Sequence, residues 1–140
     1  MNIQLIPYMT GAITVHALLM SLGALLVVNS VRALAEMQQY AWVVYLDAKT
    51  RGVSITDVPT QNEKIERIIK GLIRGMGVNL FAGCFGILLA LLAIAFSWEG
   101  FQAGLFLELS LAGVMWQLVW FSFLSLNAMR HLRGWIQKVP

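Results

Sequence analysis

Long uncharged apolar runs alternate along this chain with segments in which apolar and charged positions interleave at helical spacing. The clearest run is Gly75 to Trp98, which holds no charge between Arg74 and Glu99. About 20 apolar residues rising about 1.5 Å each cross a hydrocarbon layer of about 30 Å, so this run predicts a membrane-spanning helix. Met1 to Ser30 also lacks Asp, Glu, Lys and Arg, and Phe101 to Ala128 is the third such stretch, following the tight turn Ser97-Trp98-Glu99-Gly100. The expected spans are about 9–31, 75–98 and 101–128, with Trp98, Phe101 and Trp135 in the aromatic belts at the membrane rims. A secretory leader competes for the first run, because Ala33-Leu34-Ala35 resembles a cleavage site. Such leaders open on basic residues, however, and MNIQLIPYMT has none, so the run reads as a retained helix starting after Pro7.

The segment between spans one and two, residues 32–74, has its own pattern. Arg32 to Arg51 contains no Gly or Pro, and Gly52 suits the left-handed position that ends helices. A helix from about Met9 to Arg51 would be about 60 Å long, twice the membrane thickness, so half of it must leave the bilayer or lie along its surface. On that half Met37, Tyr40, Ala41, Val44 and Ala48 form one stripe, while Trp42, Val43, Tyr45 and Leu46 make the opposite face apolar as well. Either the rings sit at headgroup level or a partner chain covers them. Gly52 to Pro59 reads as a loop, after which Thr60 and Glu63 can form a capping box. Ile65, Ile68, Ile69, Leu72, Ile73 and Met76 then share a face opposite Glu63, Glu66, Arg67, Lys70 and Arg74, with Glu63–Arg67 and Glu66–Lys70 at the favourable i,i+4 spacing. This amphipathic helix leads into span two, resting either on headgroups or on the helix 1 extension.

Composition agrees with the pattern: 59% of residues are hydrophobic and 12% charged, against about 25% charged in ordinary soluble domains. The fold class is therefore an all-α integral membrane protein, a single domain with three transmembrane helices plus a cytoplasmic helical hairpin. Seven of the ten basic residues lie between spans one and two, and the other three follow span three in the tail, residues 129–140. The positive-inside rule then puts the N-terminus outside and the loop and tail in the cytoplasm, implying a bacterial-type plasma (inner) membrane. A net charge of +3 so placed speaks for orientation and contact with anionic lipid, not for a nucleic-acid partner. Cys84, the sole cysteine, lies mid-span and offers neither a disulfide nor a CxxC pair.

Ionisable groups inside a span are costly and are the first functional suspects. His16 and Glu108 each lie seven residues into a helix that starts from the outer face, so an imidazole–carboxylate pair is a candidate proton-path or ligand site, weighed against a snorkelling Glu108. Asn29, Asn79 and Asn127 fall at matching depth and form a candidate interhelical amide layer. Gly71, Gly75, Asn79 and Gly83 recur every fourth position, as do Ala82, Gly86 and Ala90, which marks close helix packing. Gln117 and Ser110 point away from Glu108, placing Gln117 towards a partner or pore. Trp116 and Trp120, one turn apart, could stack on a pigment or quinone, with plain packing the alternative. HExxH, GxSxG, GxGxxG and the phosphate-binding GxxxxGK[ST] are missing, and His131 lies at the opposite rim from His16, so no catalytic residues, metal or cofactor are expected.

The expected function is a non-catalytic subunit of a larger membrane assembly (secretion, respiratory or transport), its partners the bilayer and other membrane subunits or copies of itself. The alternative is a homo-oligomeric pore. Three spans with an outer N-terminus and a basic C-terminus are similar to the topology of some phage holins, from which the long inner loop departs.

Overall fold

The computed structural model describes residues 5–52, 58–96 and 100–136. They form three helices, α1 (Ile6–Thr50), α2 (Val58–Ala95) and α3 (Gly100–Ile136), each long and apolar enough to cross a membrane. Successive helices run antiparallel, and each packs on both others. The end of the bundle where α1 stops and α2 starts also receives the C-terminus of α3, and it gathers the basic residues of the described chain; we call it the basic end.

Helix boundaries differ from the expected spans in an instructive way. Pro7 sits inside the first turn of α1 instead of before it, where its missing N–H costs nothing. Likewise α2 starts at Val58, two residues ahead of the expected Thr60 cap, with Pro59 in its first turn. The Thr60 side chain, residues 97–99 of the second turn, and the rim side chains of Trp98, Phe101 and Trp135 lie outside the described residues. Charge does not interrupt these helices: α2 reaches from Val58 and α3 continues to Ile136. Glu63–Arg67 at 3.6 Å and Glu66–Lys70 at 2.7 Å form as expected.

Helix α1 is unbroken over its 45 residues. It ends as its sequence dictates: Gly52 adopts φ +74°, and the Arg51 and Gly52 amides return to the carbonyls of Asp47 and Lys49 at 3.1 and 3.2 Å. Only glycine takes this left-handed conformation without a Cβ clash. Gly52→Ala is expected to fray the last turn by about 1 kcal/mol, seen as faster amide exchange at Lys49 to Gly52 with the bundle unaffected.

The core is a seam with a seven-residue repeat. On α1 it takes Met9, His16, Gly23 and Ser30, on α2 Ile65, Leu72, Asn79, Gly86 and Ala93, and on α3 Ala103, Ser110, Gln117 and Leu124, all buried. A sustained seven-residue spacing keeps one stripe of each helix facing its neighbours. At the basic end Val27, Leu34, Ile65, Leu72 and Ala128 close the seam, with Val31, Ile68, Ile69, Met76 and Leu132 around them. The amphipathic start of α2 thus packs on α1 and α3 through its apolar face. Ile73 is off that face and 48% exposed. At the other end Met9, Ala93, Ala103 and Leu107 pack together.

Candidate functional site

Midway along the seam the side chains turn polar. His16, Asn79, Ser110 and Gln117 are each fully buried, and they bond to one another across all three helices. Asn79 Nδ2 donates to the Leu19 carbonyl on α1 at 3.1 Å, which fixes the direction of its amide. Gln117 Nε2 then donates to the Asn79 backbone carbonyl at 3.1 Å, with Asn79 Oδ1 at 3.4 Å. That leaves Gln117 Oε1 to accept, and His16 Nδ1 lies 2.5 Å from it. The proton on the imidazole is therefore assigned to Nδ1 by the network around it.

The second ring nitrogen meets Ser110. His16 Nε2 lies 3.1 Å from the Ser110 carbonyl oxygen and 3.3 Å from its hydroxyl, while that hydroxyl donates to the Gly86 carbonyl at 2.9 Å. The Ser110 carbonyl can only accept, so its contact is a hydrogen bond when Nε2 carries a proton, whereas the hydroxyl, turned away from Gly86, can donate to a bare Nε2. Among the described residues the sole buried side-chain polar atom without a partner is Asn62 Oδ1, far from this network. Buried polar groups satisfied to this degree cost little and specify register, whereas an unpaired one in hydrocarbon costs several kcal/mol.

Glycines make room for the ring. A Cβ at Gly86 would fall inside the His16 imidazole, and one at Gly83 would collide with Met20 and Gln117. Gly113 faces the ring from α3, where a Cβ would stand 3.3 Å from His16 Cε1. Gly23 accommodates the Asn79 amide and Gly75 the Leu124 side chain in the same way, and Ala90 is fully buried. From Gly75 onwards the small-residue series expected to pack helices does so inside this one chain, whereas Gly71 is exposed and a Cβ there would meet nothing within 4 Å.

Several expected contacts are not made. His16 does not pair with Glu108, whose carboxylate is exposed on the outer side of α3. Glu108 comes one residue after the buried Leu107, and one residue turns a helix by about 100°. Nor do Asn29, Asn79 and Asn127 form an amide layer: Asn29 is exposed and Asn127 half-buried, each one residue before a seam position, Ser30 and Ala128. Gln117, expected to face a partner or a pore, is instead the centre of the buried network. Trp120 spends its indole N–H on the Gly75 carbonyl at 2.9 Å, and Trp116 stacks on it at 6.4 Å between centroids, 58% exposed.

Outside the seam the bundle is apolar. Phe81, Phe85, Leu88 and Leu91 on α2 and Leu111, Met115, Val119 and Leu126 on α3 are exposed. The outward hydroxyls of Thr10, Thr14, Ser21 and Ser122 each donate back to a carbonyl of their own helix at 2.9 to 3.1 Å. No cluster of three or more metal-ligating side chains occurs among the described residues. A scan against protein-family models and searches of curated proteins and of solved structures gave no match.

Proposed function

We propose that the chain is a non-catalytic three-span subunit of a larger membrane assembly, with the basic end in the cytoplasm of a bacterial-type plasma membrane and the α1 overhang, with the start of α2, as its docking hairpin. The observation that carries this reading is the overhang. From Arg32 to Thr50, α1 projects about 28 Å past its uncharged run, and along it Tyr40, Val43 and Leu46 are 61, 65 and 55% exposed, with Trp42 and Val44 also open. Charges at Arg32 and Glu36 before Tyr40 and at Asp47 after Leu46 argue that this stretch lies outside hydrocarbon, where exposed apolar side chains mark a protein contact. Glu108 adds support: an outward carboxylate within an apolar span is costly in lipid and is relieved by a neighbouring chain.

A homo-oligomeric pore needs a polar stripe facing outwards to line its lumen. Here the four polar seam residues face inwards and the outward hydroxyls bond their own helices, which favours the subunit reading over the pore. Native mass spectrometry of the complex extracted in mild detergent tests it. The expected result is a stoichiometric particle whose mass is not a multiple of 15.6 kDa, and which dissociates when Tyr40→Asp and Val43→Asp are combined. Integer multiples of the chain mass, insensitive to those changes, would establish the homo-oligomer instead.

A further inference from the structure

A groove of 410 Å³ lies between α2 and α3 at the basic end, apart from the polar seam. Its α2 wall carries Arg67, Gly71 and Arg74, and its α3 wall Trp120, Asn127 and His131. At Gly71 the groove is open, since a Cβ there would meet nothing within 4 Å. The indole N–H of Trp120 is already bonded to Gly75, so that residue contributes ring surface and not a donor.

Chemistry changes along the length of this groove. Arg67, Arg74, His131 and Asn127 line the half nearer the basic end, its mouth, whereas Val78 and Phe123, 40 and 56% exposed, line the half towards the middle of the bundle. The change falls where α2 loses its last charge, at Arg74, which in a bundle that crosses a membrane is the level where headgroups give way to hydrocarbon. The guanidinium groups are available. Arg67 has one long contact, 3.6 Å to Glu63, with both side chains 74% exposed. Among the described residues no carboxylate lies within ion-pair distance of Arg74.

We propose that this groove seats one anionic phospholipid, its phosphodiester held by Arg67 and Arg74 and one acyl chain lying along Val78 and Phe123. Basic pockets between membrane helices bind such headgroups by charge and by donated hydrogen bonds. A soluble anion would use the mouth alone and leave the apolar half empty, and a zwitterionic lipid would leave the two arginines without net complement. The occupant that matches both halves is an anionic lipid. The proposal rests on the bundle crossing a membrane and not on the assembly to which it belongs.

The test titrates the purified full chain in detergent with dioleoyl-phosphatidylglycerol and, separately, dioleoyl-phosphatidylcholine, counting bound lipids by native mass spectrometry. One phosphatidylglycerol should bind about twenty-five-fold more tightly than phosphatidylcholine, each arginine supplying about a fivefold factor. The double variant R67Q/R74Q should bring the two lipids near parity. K49Q/R51Q, which removes the same charge from the far end of α1, should keep the preference. G71L fills the groove from a position with open space around it and should weaken both lipids. Equal loss of preference in K49Q/R51Q would reduce the effect to diffuse attraction and overturn the site. Unchanged phosphatidylglycerol binding in G71L would show that the lipid does not enter the groove, and full displacement by inorganic phosphate would show that the mouth recognises a free anion; either outcome overturns the proposal.

Discussion

Gly86→Leu is expected to destabilise the bundle more than substitution of any other described glycine, by about 3 kcal/mol. The new Cβ would collide with the His16 ring, so the ring must leave, losing its bond to Gln117 and its contact with the Ser110 hydroxyl. Two costs then add: helices α1 and α2 are forced apart, and polar atoms lose partners in a medium without water to replace them. Gly77→Leu is the matched control, since a Cβ there meets nothing within 4 Å and the change removes a poor helix former. It should be neutral or stabilising by a few tenths of a kcal/mol. Thermal melts of both variants in one detergent check this, and equal melting temperatures would show that the ring is not where the glycine admits it.

The second large effect belongs to the His16–Gln117 bond. His16→Leu and Gln117→Leu are each expected to cost about 2 kcal/mol, because each leaves the other side chain buried and short of a partner. The double variant should cost less than the sum, with a coupling of about 1 kcal/mol, within the range measured for interhelical bonds in membranes. A cycle on His16→Leu with Glu108→Leu should be additive within about 0.5 kcal/mol, since Glu108 faces outwards. The two cycles together separate shared depth from shared contact. Coupling at Glu108 and additivity at Gln117 would reverse the assignment.

Depth was what the sequence conveyed most directly, and azimuth least. Counting residues from the start of each apolar run places His16 and Glu108 at similar depth, but contact also requires that both face the same way. The seam shows how azimuth could have been read. Asn79 and Gly86, Ser110 and Gln117, and Met9 and His16 are seven-residue pairs within their helices, and this repeat selects Gln117 and Ser110 over Glu108 as partners for His16. A four-residue stepping of small residues finds Gly83 and Gly86 but drifts off the stripe within a few turns, because 3.6 residues make a turn. The three apolar helices and the Gly52 stop were legible from local pattern alone. Helix ends were not: Val58 and Ile136 continue helices through charged sequence, since helical backbone requires no apolar surroundings, and hydropathy marks the lipid layer and not the helix.

The division of the network among helices bears on the order in which the protein can be made. The Asn79 bond to the Leu19 carbonyl joins α1 to α2 and needs nothing further, so a nascent two-helix hairpin already has a register. Both side-chain partners of His16 belong to α3, which follows α1 and α2 in synthesis. Until α3 arrives, the imidazole has no designed acceptor, and the hairpin is held by one amide and its apolar ends. Arrival of α3 is therefore the step that gives the ring its partners, and truncation before Ser110 would leave a hairpin with His16 unpaired in lipid.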